Sequence, residues 1–126
     1  MISGIVNANL EVTVPLLVRD ANDQPQVITA VIDTGYNGAL TLPLALVTAW
    51  GLAQGASREV TLGDATRRVC DYYTAHLVWD GQTKKVRVLC VEGDPLIGTA
   101  LLAGYNMNAD FIVDGLVLIG LVKGTL

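Results

Sequence analysis

At 126 residues with a formal charge of −4 and a pI near 4.6, the chain lacks the clustered basic surface that nucleic-acid binding needs to neutralise phosphates. No apolar run approaches the roughly 20 uncharged residues of a membrane-spanning helix. Apolar residues make up 52% of the chain and charged ones only 16%, so part of the apolar excess is expected to face a second subunit.

Taken in order, residues 2–6 form a short apolar segment with neither the basic start nor the apolar block of a secretory signal, and the default expectation is a cytoplasmic protein. Val12, Val14, Leu16 and Val18 recur at spacing two, the mark of a half-buried strand. The polar, Pro-containing cluster 20–25 is a turn, and residues 26–32 return as the second strand of a hairpin that delivers Asp33 at its end. Ala30, Val31 and Ile32 precede this carboxylate, and Thr34 and Gly35 follow it. Asp is rarely buried unless paired or hydrogen-bonded, so the Thr34 hydroxyl and the bare Gly35 backbone are its nearest means of stabilisation.

Leu40-Thr41-Leu42 reads as a short strand, and residues 44–50 as a short helix opened by Pro43 and closed by Gly51. Residues 57–62 and 66–79 flank Gly63-Asp64-Ala65, a hairpin whose central pair, if Gly63-Asp64, sets Glu59 opposite Arg68. Asp80-Gly81 is a second hairpin signal, after which Val86, Val88 and Cys90 alternate with Lys85 and Arg87. Cys70 and Cys90 are too few and too irregularly placed for a disulfide framework. His76 sits mid-strand with no Ser or Cys nucleophile at a telling position, and the scattered acidic residues show no metal-ligand spacing. Neither a metal nor a cofactor is expected.

Pro95-Leu96-Ile97-Gly98 echoes Val31-Ile32-Asp33: two apolar β residues, then Gly where Asp stood. A short helix is expected over 99–104, then a hairpin with strands 111–113 and 116–119 about Asp114-Gly115. The terminal strands, 2–6 and 117–122, leave backbone edges that must be covered, and pairing with a second subunit would do so.

The VIDTG run, the later LIG run and the length together resemble a retropepsin-like aspartic protease, the single-domain bacterial type that works as a homodimer. The resemblance implies an all-β fold: a small closed β-barrel with a flap hairpin and one or two short helices, residues 1–126 forming one domain. It implies peptide-bond hydrolysis by bound water between Asp33 and its copy in the second chain. Two carboxylates about 3 Å apart share one proton, so one acts as base and the other as acid, with a bell-shaped, acidic to near-neutral pH profile. Thr34 would link the two loops across the axis, Gly35 would receive substrate backbone, and Gly98 would pack beside the catalytic loop. Tyr36 and Asn37 would form the substrate wall, and Gly63, Asp64 and Ala65 the flap tip over an extended polypeptide. Two departures stand out. The family has Ala-Asp where this chain has Tyr36-Asn37, and an Arg after its second Gly where this chain has Thr99. The alternative expectation is a catalytically idle peptide-binding or regulatory module on the same fold.

Overall fold

The computed structural model describes residues 1–61 and 67–123, with side chains for 1–55 and 71–123. Strand β1 (Ile2–Val6) leads through a turn into β2 (Val12–Arg19), whose alternating Val12, Val14, Leu16 and Val18 all lie in the core. The intervening Thr13 is also buried, because β1 covers it, and its hydroxyl donates to the Ile5 carbonyl at 2.8 Å. The turn after β2 is held by the Asp20 carboxylate, whose Oδ1 accepts from the Asn22 and Gln24 backbone N–H groups at 2.9 Å each. Strand β3 (Pro25–Ile32) then runs back antiparallel to β2, with Thr13 opposite Val31.

The remaining elements close a barrel. They are β4 (Leu40–Leu42), α1 (Leu44–Ala49), β5 (Ala53–Thr61), β6 (Arg67–Trp79), β7 (Gln82–Cys90), β8 (Leu96–Ile97), α2 (Thr99–Leu102), β9 (Tyr105–Ala109) and β10 (Leu116–Leu121). Strand β3 pairs in parallel with β8, β8 with β4, β4 in parallel with β7, β7 with β6, and β6 returns to β2 through Leu17 opposite Val78. Six strands thus form a closed ring, with β5 attached to β6 on one side and β1, β10 and β9 attached to β2 on the other. Closure removes the unpaired edges of those six strands. The core inside it includes Leu16, Ala30, Leu40, Leu42, Leu77, Trp79, Val88 and Ile97.

Turn chemistry accounts for the joints. Asp80 and Gly81, with φ of 52° and 78°, connect Trp79 to its partner Gln82 as a two-residue hairpin turn with positive φ at both central positions. Pro43 caps α1, and Gly51 follows it at φ 65°.

Four expectations need correction. Glu59 pairs with Val69 and Arg68 with Val60, because Thr61 opposite Arg67 leaves the odd-numbered stretch 62–66 between paired positions, one register away from a Gly63-Asp64 two-residue turn. The expected flap tip Gly63-Asp64-Ala65 lies outside the described residues. Residues 111–113 are not a strand: β10 pairs with β9 instead, Val117 opposite Ala109, and 110–115 is a compact loop closed by Gly115 N–H to Ile112 O. The second helix ends at Leu102, ahead of Gly104 at φ 86°. Finally, β1 and β10 pair with each other within the chain, Ile5 opposite Leu116 and Ile2 opposite Ile119. Among the described residues, no helix is long and apolar enough to cross a membrane.

Candidate active site

Asp33 follows the last residue of β3, at the point where the parallel neighbour β8 also ends. Val31 lies opposite Leu96 and Ile32 opposite Ile97, so the repeated apolar-apolar pair in the sequence is two strands lying side by side. That register sets Asp33 beside Gly98. The Asp33 N–H donates to the Ile97 carbonyl at 2.9 Å, extending the ladder by one bond and anchoring the carboxylate-bearing residue to a buried strand. Its Oδ1 accepts from the Gly35 N–H at 2.9 Å, and Oδ2 has no hydrogen-bond donor among the described residues. Asp33 is half-buried, while Thr34 and Gly35 are exposed. The Thr34 hydroxyl bonds to no described residue.

The loop carrying these residues is clamped from the other side by the segment after β8. Gly98 N–H donates to Ala39 O at 3.0 Å, Thr99 N–H to Tyr36 O at 2.8 Å and Ala100 N–H to Gly38 O at 3.2 Å. The Thr99 hydroxyl adds a longer contact to Tyr36 O at 3.4 Å. The backbone of 98–100 therefore holds the loop where the resembling family has an Arg–Asp pair, so this chain spends no desolvated charge on the task. Gly98 is required for this approach, because a Cβ there would overlap the carbonyl oxygens of Gly38 and Tyr36.

Beside the loop opens a cleft of about 630 Å³, lined among others by Tyr36, Asn37, Ala39, Tyr72, Arg87 and Leu89. Tyr36 and Asn37 form one wall, as expected. Tyr72 and Arg87 face them from β6 and β7, the guanidinium stacked 5.1 Å from the Tyr72 ring centre. Arg87 is the only charged residue among the described residues that line the cleft. Sequence reasoning missed Tyr72, Arg87 and Leu89 because only the β6–β7 register, Tyr72 opposite Leu89, brings them together. The structure thus gathers Asp33, Thr34, Gly35, Tyr36, Asn37 and Gly98 at one end of the barrel. His76 is exposed on the far portion of β6, opposite Lys85 and Arg19, away from that end. No cluster of metal-ligating side chains occurs among the described residues.

No protein-family model and no curated protein sequence matches the chain. Among solved structures, it is similar to EIAV protease complexed with the inhibitor HBY-793, at 19% identity and a TM-score of 0.51, covering 73% of this chain and 85% of that one. At that identity the likeness speaks for the fold, and it agrees with the closed barrel and the two short helices: the chain has the retropepsin-like aspartic protease fold.

Proposed function

We propose that residues 1–126 form one domain that acts as an aspartic endopeptidase when two copies meet, with Asp33 of each contributing half of the catalytic dyad. The observation that carries the reading is the setting of Asp33: it follows the last residue of β3 and is tied to buried Ile97 of β8, with one carboxylate oxygen held by Gly35 N–H and the other without a donor among the described residues, next to an open cleft. In the dimer, one Asp33 carboxylate accepts a proton from bound water as the water oxygen attacks the peptide carbonyl carbon. The partner Asp33, protonated, gives its proton to the carbonyl oxygen. Collapse of the tetrahedral intermediate breaks the C–N bond, and the departing amine takes up a proton from the dyad. One carboxylate alone cannot serve as base and acid in the same step, so the site is incomplete in a single copy.

Further support comes from Thr34, whose exposed hydroxyl is available to a second loop. The similar EIAV protease was solved with an inhibitor, which supports reading the cleft beside Asp33 as the place where an extended polypeptide lies. Gly35 would receive its backbone, Tyr36 and Asn37 would border it, and Gly63, Asp64 and Ala65 would close over it.

The test is digestion of an unfolded polypeptide between pH 3.5 and 7.5 by the parent protein and by Asp33→Asn, which retains an oxygen for the Gly35 N–H. Cleavage by the parent that is lost in Asp33→Asn is the expected result. Absence of cleavage by a dimeric parent would overturn it, and peptide binding unaffected by Asp33→Asn would instead identify an idle binding module.

A further inference from the structure

Strand register extends the site sideways from Asp33. Ile32 lies opposite Ile97, Ile97 opposite Leu40, and Leu40 opposite Val88. One step further along each strand come Asp33, Gly98, Ala39 and Arg87, and the bonds from Asp33 N–H to Ile97 O and from Gly98 N–H to Ala39 O continue the pairing into that row. Val88 is fully buried, so alternation turns its neighbour Arg87 to the outer face of β7, where it is exposed. Arg87 therefore stands in the row of the Asp33 carboxylate, three strand spacings or about 14 Å away.

On that face Arg87 is more than one solvated cation among others. Its guanidinium lies 5.1 Å from the centre of the Tyr72 ring. Stacking uses the flat face of the guanidinium and keeps its in-plane donors in the fork that matches a carboxylate. The cleft of about 630 Å³ beside Asp33 adjoins a second one of about 350 Å³, and Tyr72 and Arg87 line both. The second is also lined by Lys85, on the same face of β7 as Arg87, and by Thr74, which lies opposite Arg87. No Asp or Glu is among the described residues that line either cleft. The ion pairs of the described residues, Met1 with Asp80 and Arg19 with Asp23, leave out both cations. Asp71, beside Tyr72 in the chain, alternates to the other face of β6. Beyond Thr74 a third cleft has Asp20 and Asp23 beside Arg19, so the purely cationic stretch ends there. In a chain of net charge −4, positive charge is thus concentrated on the wall that faces Tyr36 and Asn37.

We infer that Arg87, backed by Lys85, selects polypeptides that carry a carboxylate about four residues or fewer from the bond to be cut, since an extended chain advances about 3.3 Å per residue. The inference rests on the endopeptidase reading above and names the class of substrate it takes. The recognised group is an acidic side chain or the terminal carboxylate of a short peptide, because both offer the guanidinium fork the same planar pair of oxygens. Selection also works by repulsion: a Lys or Arg at the same substrate position meets two like charges.

Fluorescence anisotropy of rhodamine-labelled, C-terminally amidated eight-residue peptides on Asp33→Asn protein separates recognition from catalysis. Each peptide carries one Glu, moved from position to position, and is paired with its Gln isostere. The expected result is that Glu at one or two positions tightens binding about fivefold or more over Gln. Arg87→Gln should remove the difference, and Arg87→Glu should reverse it in favour of Lys. Lys123→Gln, an equal change of net charge at a residue that lines neither cleft, should leave it in place. A neutral peptide with a free C-terminal carboxylate distinguishes the two sources: Arg87-dependent tightening over its amide assigns the chain end, and tightening by Glu alone assigns the side chain. Circular dichroism checks that the variants fold. A preference equal at every position, one that survives in folded Arg87→Gln, or no preference at all would overturn the assignment. The parent protein, with Asp33 intact, is then given the same peptides. Cleavage indifferent to the Glu would overturn the inference and leave the peptidase standing. Arg87-dependent binding with no cleavage would leave the carboxylate site standing and reject the peptidase reading.

Discussion

Gly98 has an ordinary extended backbone, φ −100° and ψ −179°, so what excludes other residues there is space. Gly98→Ala would press a methyl group into the Gly38 and Tyr36 carbonyls, and the backbone bonds of 98–100 to the Asp33 loop would have to lengthen. A loss of about 2–3 kcal/mol in urea denaturation is expected, with proteolysis falling further than the unfolded fraction explains because the loop itself moves. Asp20 offers a pH-dependent counterpart. The Gln24 backbone N–H, opposed by partial desolvation and assisted by Gln26 and the Asn22 N–H, holds its carboxyl below the usual 3.8. A carboxyl lowered in the folded state contributes stability above its unfolded value and loses it as pH falls through the folded one. The urea midpoint of the parent should therefore exceed that of Asp20→Asn by a constant margin at neutral pH, the margin shrinking below pH 3.8. A margin that grows on acidification would contradict this. At this scale Asp33 and Gly98 were legible because a lone carboxylate and a lone glycine after apolar pairs are chemically conspicuous. Arg87 was not, since an alternating strand gives every outward cation the same appearance.

Strands β4 and β8 are only three and two residues long, yet they join the two halves of the barrel and carry the approach to Gly98. Thr41, 3% exposed, supplies what so short a pair lacks: its hydroxyl oxygen accepts from the Leu96 N–H at 3.0 Å. Thr41→Val keeps the shape but leaves that N–H without its acceptor, at a cost of about 1–3 kcal/mol. Amide exchange at Leu96 should accelerate in the variant while that of Leu77, in β6, changes only with global stability. Period-two alternation made β2, β3, β6 and β7 readable, and left-handed turn residues made the Asp80-Gly81 joint readable. The same logic failed at Asp114-Gly115. Asp114 does have φ 63°, but the turn serves a six-residue loop whose outer strand is β9. Tyr105-Asn106-Met107-Asn108-Ala109 does alternate apolar and polar residues, but its two Asn and its Ala have low β propensity, whereas Phe111-Ile112-Val113 has high β propensity. Propensity favoured the wrong segment because the partner of β10 is chosen by register, Val117 opposite Ala109, and not by the residues nearest the turn.

The whole molecule sets the Asp33 carboxylate at one end of a closed barrel, the end that also carries the turn after β1 and the loop 110–115. A barrel of this kind was legible as a class, since its strands and turns follow local rules. Which surface remains uncovered depends on the pairing of β1 with β10, residues separated by more than a hundred positions, and no local pattern encodes that choice. The functional consequence can be tested without structural data by mixing subunits. Random exchange between parent and an equal amount of Asp33→Asn leaves about a quarter of all dimers fully parental, in twice the total number, so peptidase activity should fall to about one half. A threefold excess of the variant should bring it to about one quarter. If each chain acted alone, activity would not change at any ratio.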